Sequence, residues 1–162
     1  MKPRRKIEAA ILLGLCAFIG VGHSPAAAQD VGAIDDGIFK SADLNGDGKI
    51  SRREILHFTD LVFLSADTDG DDTLTVEEFL KWDPGYLFIA EQTGKTVQLN
   101  TAKREAYQAM DINGDGSLDH DEFSAASLYD FYRADANSDR ALGQDEFIGG
   151  YRLVKAVRSA IE

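Results

Sequence analysis

The sequence predicts an all-α fold of four helix–loop–helix units. Helices are shared between loops 1 and 2 and between loops 3 and 4, and short β-bridges join paired loops. Three observations carry this reading. A 12-residue acidic pattern occurs four times. The spacers within each half are twelve residues long and contain neither Gly nor Pro. Aromatic and aliphatic residues recur at fixed offsets from every repeat. Such regularity marks supersecondary units that bury a common core.

The chain of 162 residues carries 17 Lys+Arg against 28 Asp+Glu, a net charge of −11, and is 44% apolar. The apolar fraction is that of a globular protein. The charge excludes a nucleic-acid binder, which needs a basic footprint, and disfavours anionic lipid. Residues 1–28 read as a secretory signal peptide. Lys2, Arg4, Arg5 and Lys6 form a positive start, an apolar stretch runs from Ala9 to Gly22, and Ala26-Ala27-Ala28 offers a small-residue cleavage site. The apolar run falls short of the ~20 residues that span a bilayer. An uncleaved anchor, twin-arginine export and lipidation at Cys16 fit less well, the last two because of Glu8 and the bulky Leu15. Cleavage after Ala28 leaves one domain, 29–162, with 13 basic and 27 acidic residues, net −14, and no cysteine. The expected location is periplasmic or secreted, without disulfides and without a membrane span.

The four windows are 43–54, 67–78, 111–122 and 135–146, and they hold 18 of those 27 acidic residues. Loop 1 places Asp43, Asn45, Asp47 and Glu54 at positions 1, 3, 5 and 12, with the Lys49 carbonyl at 7. Loop 2 places Asp67, Asp69, Asp71 and Glu78, with Thr73 at 7. Loop 3 places Asp111, Asn113, Asp115 and Glu122, with Ser117 at 7. Loop 4 places Asp135, Asn137, Asp139 and Glu146, with Ala141 at 7. A hard cation such as Ca²⁺ takes about 6–8 oxygens at roughly 2.3–2.6 Å. In EF-hand calcium loops, which these windows resemble, side chains at 1, 3 and 5, a carbonyl at 7, a water held by position 9 and both oxygens of a Glu at 12 supply them. Position 6 needs positive φ, which glycine accepts freely. The aliphatic at 8 (Ile50, Leu74, Leu118, Leu142) points inward and lets two loops pair.

This pattern resembles the EF-hand calcium loop, over most of the chain after residue 28. A single D-x-N-x-D-G is also a turn, or a calcium site of another fold such as a dockerin; four matches make coincidence improbable. The resemblance implies up to four Ca²⁺ ions, with loop 4 the doubtful one. Loop 3 is the best formed, with Gly116 at position 6 and Asp119 at 9. Loop 1 has Gly48, but Lys49, Arg52 and Arg53 weaken its field. Loop 2 has four carboxylates and Asp72 at position 6, which tolerates positive φ. Loop 4 has Arg140 there, and Gly143 at 9 offers no side chain.

Flanking residues agree with helices on both sides of each loop. Phe39, Phe63, Tyr107 and Phe131 lie four residues before the loops, and Ile55, Phe79, Phe123 and Phe147 directly after them. Ser51…Glu54 and Thr75…Glu78 are capping boxes, Asp119 is a good N-cap and Gly143 a poorer one. Each twelve-residue spacer has room for only one helix. At about 1.5 Å per residue its two loops stand some 24 Å apart, so the simplest closed arrangement pairs loop 2 with loop 3 and loop 1 with loop 4. That spacing is similar to a bacterial periplasmic subset of the superfamily, the lanmodulin-like proteins, which implies lanthanide ions as an alternative cargo. The chain departs from that subset. Position 2 is Leu44, Thr68, Ile112 or Ala136 rather than proline, only loop 3 has Asp at 9, and 32 residues separate loops 2 and 3.

Between loops 2 and 3, Asp83 and Pro84 predict a helix over Tyr86–Gln92 ending at Gly94, with a hairpin around Thr93-Gly94-Lys95 as the competing reading and an incoming helix from about Asn100. Gly94-Lys95-Thr96 lacks the upstream glycine of a phosphate-binding loop. The Tyr86-Leu87-Phe88-Ile89 run reads as core or as a partner surface. The tail beyond Glu146 reads as an amphipathic helix packed on the domain, with Gly149-Gly150 letting it swing. His57 and His120 form no H-E-x-x-H site, so the expectation is a binding protein and not an enzyme. Two roles stand open: a calcium buffer or calcium-stabilised structural protein, and a sensor that exposes an apolar groove to a protein partner. The single Met beyond residue 28, Met110, and the aromatic core favour the first.

Overall fold

The computed structural model describes residues 31–162; the signal-peptide reading, with Cys16, lies outside the described residues. The element order is α1 (Val31–Ala42), β1 (Ile50–Ser51), α2 (Arg52–Ala66), β2 (Thr73–Leu74), α3 (Val76–Lys81), α4 (Leu87–Thr93), α5 (Thr96–Met110), β3 (Leu118–Asp119), α6 (His120–Ala134), β4 (Ala141–Leu142), α7 (Gln144–Gly150) and α8 (Arg152–Ile161). The all-α expectation holds, with strands only two residues long. No helix among the described residues is long and apolar enough to cross a membrane.

The helices begin where the sequence places their caps. Ser51, Thr75 and Asp119 each accept a hydrogen bond from the backbone N–H of the Glu three residues on, and that Glu accepts from the cap's N–H in return. Gly143, which starts α7, has no side chain to accept such a bond, and only its N–H takes part, donating to Glu146 at 2.9 Å. α2 and α6 each run fifteen residues without interruption, and they lie against each other at the centre of the molecule. Their crossing is marked by Thr59 and Ser127, whose hydroxyl oxygens are 2.5 Å apart, and Ser127 also meets the Tyr151 hydroxyl at 2.7 Å. Thr59 and Ser127 stand 68 residues apart in sequence. The same offset relates Asp43 to Asp111, Asp67 to Asp135, and β1 and β2 to β3 and β4. The domain is an internal duplication with a pseudo-two-fold axis through that crossing.

Because each central helix holds its two loops apart, pairing is exchanged between the halves. Ile50 faces Leu142 in β1–β4, and Leu74 faces Leu118 in β2–β3, both antiparallel. These four aliphatics are fully buried. Rings gather behind each ribbon. Phe63, Phe79, Tyr107 and Phe123 cluster at the loop 2–3 end with centroids 5.6–6.4 Å apart. Phe39, Phe58 and Phe147 cluster at the loop 1–4 end at 6.2 Å. Edge-on pairs of this kind add about 0.5–1.5 kcal/mol each beyond burial.

The connection between the halves is helical, and the hairpin alternative is not realised. The Asp83 carboxylate accepts from the N–H of Tyr86 and of Leu87 at 3.1 and 3.2 Å, and Gly94 closes α4 at φ 69°. α5 starts at Thr96, earlier than the expected Asn100, because Leu99 is buried and its N–H already bonds the Lys95 carbonyl at 2.9 Å. The apolar run splits. Tyr86 and Ile89 join the core, while Leu87 and Phe88 remain partly exposed. Lys103 is buried and donates to the carbonyls of Leu80 (2.7 Å) and Trp82, capping the end of α3. Burial holds its ammonium below the ordinary lysine range.

α8 lies on the domain through Leu153, Val154, Val157 and Ile161, worth about 1.5–3 kcal/mol per fully buried side chain. Its polar side is pinned as well. Arg158 Nε is 2.8 Å from Asp35 Oδ2, Arg152 is 3.0 Å from the buried Asp130, and Lys95 Nζ donates to the Ile161 carbonyl at 3.0 Å. Asp35 also accepts from the buried Tyr86 hydroxyl at 2.6 Å. The expectation of a swing at Gly149-Gly150 is corrected here. Gly150 belongs to α7 and sits so close to α6 that a Cβ would lie 2.8 Å from Ala134 Cβ and 2.9 Å from its Cα. The glycine serves close packing. Gly149 has open space around it. Gly150→Ala therefore destabilises the protein by about 1–3 kcal/mol, whereas Gly149→Ala stabilises it by about 0.4–1 kcal/mol. Thermal melts of the two variants beside the parent check both signs.

Candidate metal centres

Each loop is a turn of backbone folded around its own side-chain oxygens, and the hydrogen bonds repeat from loop to loop. The aspartate at position 1 accepts from the N–H at position 6: Gly48, Asp72, Gly116 and Arg140, at 2.9–3.1 Å. The side chain at position 3 accepts from the N–H at position 5, at 2.7–3.2 Å. The aspartate at position 5 accepts from the N–H at position 7, at 2.9–3.0 Å. The glutamate at position 12 binds from both ends. One oxygen of Glu54, Glu78, Glu122 and Glu146 accepts from backbone at position 2, and also at position 3 in all loops but the second. The other accepts from the N–H at position 9, at 2.8–3.3 Å. The glutamate thereby straps the end of the loop to its beginning.

In some of the carboxylates these donors favour the charged form. In Glu78 the N–H and hydroxyl of Thr75, helped by Thr68, outweigh burial and bring the pKa down to about 2. In Glu54 burial pushes upward, but bonds from Ser51, Asn45 and Leu44 leave it below the ordinary range. Asp115 is lowered by the N–H and hydroxyl of Ser117. In loop 2, Asp67, Asp69 and Asp71 each offer a carboxylate oxygen, and all three atoms lie within 4.8 Å of one another. That is an oxygen-only cluster suited to a hard cation.

The twenty residues singled out in the four windows fall in four structurally equivalent sets, with positions 1, 3 and 5 in the turns and the glutamate at 12 in the first turn of the following helix. The sets differ in backbone strain. Position 6 is left-handed in every loop, at Gly48 and Gly116 without cost, but also at Asp72 (φ 67°) and Arg140 (φ 68°). Position 4 is left-handed too, a demand the sequence reading missed although its signal was present: Gly46, Gly70 and Gly114 occupy it, and loop 4 has Ser138 there at φ 61°. Two non-glycine residues in this region cost loop 4 about 1–2 kcal/mol each. The buried Tyr107 was expected as core and does more, since its hydroxyl donates to the carbonyls of Leu74 and Gly116 at 2.8 and 2.9 Å and fastens the loop 2–3 ribbon from below. Burial raises its pKa to about 12. His57 is exposed, and His120 lies 3.0 Å from Asp60 and edge-on to Phe63.

Comparison with known proteins agrees with this geometry. The family described as EF hand matches residues 34–59, which contain loop 1 and parts of its flanking helices, and residues 108–126, which contain loop 3. No curated protein matches the chain.

The strap at Glu78 has a pH consequence for the metal-free protein. Its folded pKa, about 2, lies below its ordinary 4.5, so its contribution is complete above about pH 4.5 and is lost as pH falls toward 2. Glu78→Gln is expected to lower stability at neutral pH and to flatten the acid transition in that window, read by circular dichroism against pH in chelator.

Proposed function

We propose that this EF-hand protein is a secreted or periplasmic calcium-binding protein in which Ca²⁺ serves structure or buffering, with residues 1–28 as its export signal. The observation that carries this is the fourfold hydrogen-bonded cage. Backbone N–H groups hold the aspartates and glutamates of each loop in place, and the oxygen-only set they gather is that of a hard cation. The ligands in this reading are the side chains at positions 1, 3, 5 and 12 and the carbonyls of Lys49, Thr73, Ser117 and Ala141.

Charge supplies the driving force. The net −14 of residues 29–162 crowds carboxylates at the two loop ends, and four Ca²⁺ would reduce it to −6. An ion that binds only the folded loops converts its binding energy into folding energy. The packing of α8 favours structure or buffering over a sensor. In the apolar crevice lined by Ile38, Phe58, Val62, Trp82 and Phe123, Leu153, Val154 and Val157 of α8 form part of the wall, so a segment of the same chain already takes up apolar surface that a sensor would offer to a partner. Extracellular modules of this type work at about 10⁻⁴–10⁻³ M.

The test is a titration of chelator-stripped protein with Ca²⁺, followed by helicity and by Trp82 fluorescence. A large gain in helix between micromolar and millimolar Ca²⁺ is expected. A flat Ca²⁺ response with folding by La³⁺ at far lower concentration would assign the loops to lanthanides. Binding of an apolar dye that rises with Ca²⁺ would favour the sensor.

A further inference from the structure

The duplication provides an internal control at position 7 of the loops. Thr73 and Ser117 hold that position at the loop 2–3 end, and each hydroxyl donates to the position-5 aspartate of its own loop, Asp71 and Asp115, at 2.8 Å. Lys49 is the counterpart of Ser117 at the other end. Its backbone N–H keeps the common bond to Asp47 at 2.9 Å. Its side chain leaves the loop and crosses the β1–β4 ribbon, placing Nζ 2.6 Å from Oδ2 of Asp139, the position-5 side chain of loop 4. The other oxygen of Asp139 accepts from the Ala141 N–H at 3.0 Å. Ala141, at position 7 of loop 4, offers no hydroxyl of its own.

We propose that Lys49 is the resident cation of loop 4, its ammonium neutralising Asp139 so that loop 1 fills readily while loop 4 takes a divalent ion only at much higher concentration. The proposal rests on the reading of these loops as calcium sites. It makes the two ends of the domain unequal, with two ions at the 2–3 end and one at the 1–4 end under conditions that saturate loops 1 to 3. An ammonium beside a ligand carboxylate repels an incoming divalent ion and competes for the same oxygens. The left-handed Ser138 and Arg140 weaken the same loop, but those are backbone costs insensitive to salt. The Lys49 contribution comes from a half-exposed pair and is screened by salt. The contact also leaves its mark on both partners, holding Lys49 above and Asp139 below their ordinary ranges.

The experiment compares the parent, Lys49→Gln and Lys49→Arg, all of which retain the backbone carbonyl at position 49. Chelator-stripped protein is titrated with Ca²⁺ and followed by amide NMR, with Gly48, Asp72, Gly116 and Arg140 reporting their own loops. In the parent, Arg140 is expected to respond last. Lys49→Gln should move the Arg140 midpoint to concentrations about fivefold lower, with a smaller gain at Gly48 and no shift at Asp72 or Gly116. Lys49→Arg should follow the parent, and added NaCl should narrow the difference between parent and Lys49→Gln. The proposal is overturned if loops 1 to 3 titrate normally and Lys49→Gln leaves the Arg140 midpoint in place. It is also overturned if all four loops shift equally, which would report net charge alone. A parent protein in which no loop responds to Ca²⁺ overturns the calcium reading and this proposal with it.

Discussion

α2 and α6 have no Gly or Pro at which to turn, and that rigidity governs the arrangement of the rest. Each is a continuous rod of fifteen residues with one loop at its start and another at its end. A loop cannot fold back onto its sequence neighbour, so its position-8 aliphatic must find a partner in the other half of the chain. The exchange of strands, the pseudo-two-fold axis and the two separate ring clusters all follow from it. The crossing itself is polar at its centre, where Thr59, Ser127 and Tyr151 satisfy one another out of reach of water. An apolar crossing would pack as tightly. Directional bonds between hydroxyls fix the relative position of the rods, and with it the register of both ribbons.

The loops show how an acidic surface is made compatible with a folded chain. Clustered carboxylates repel one another, yet each is also an acceptor for backbone N–H groups that a tight turn leaves without partners. The glutamate at position 12 does most in this respect, because it caps a helix and closes a loop with the same two oxygens. Loss of its charge would weaken the cap and the strap together.

Much of this was legible in the sequence because the relevant signals are local or periodic. The loop boundaries, the capping boxes and the burial of Phe39, Phe63, Tyr107 and Phe131 follow from spacing alone. Even the exchanged pairing could be argued from the length of the spacers. What escaped depends on contacts distant in sequence. The destination of the Lys49 side chain lies in loop 4, so the residue reads from sequence as a perturbation of loop 1. Lys103 carries no hint that the end of α3 will take its ammonium. Gly150 looks like a hinge until Ala134 is placed beside it. The need for positive φ at position 4 was visible in Gly46, Gly70 and Gly114 but is easily absorbed into the neighbouring Asn-Gly or Asp-Gly pair.

The exchange of loops also sets an order in time. Lys49 and Asp139 are 90 residues apart, and Ile50 has no strand partner until Leu142 is available. As the chain emerges from the ribosome, loop 1 is made first and completed last. The 2–3 ribbon spans a shorter stretch and can close while loop 4 is still inside. The first half emerges with an apolar Ile50 and an unpaired β1 edge, a state open to proteases and to other unfinished copies. An arrangement that gives the finished domain its symmetry thus leaves it exposed until nearly the whole chain has been delivered.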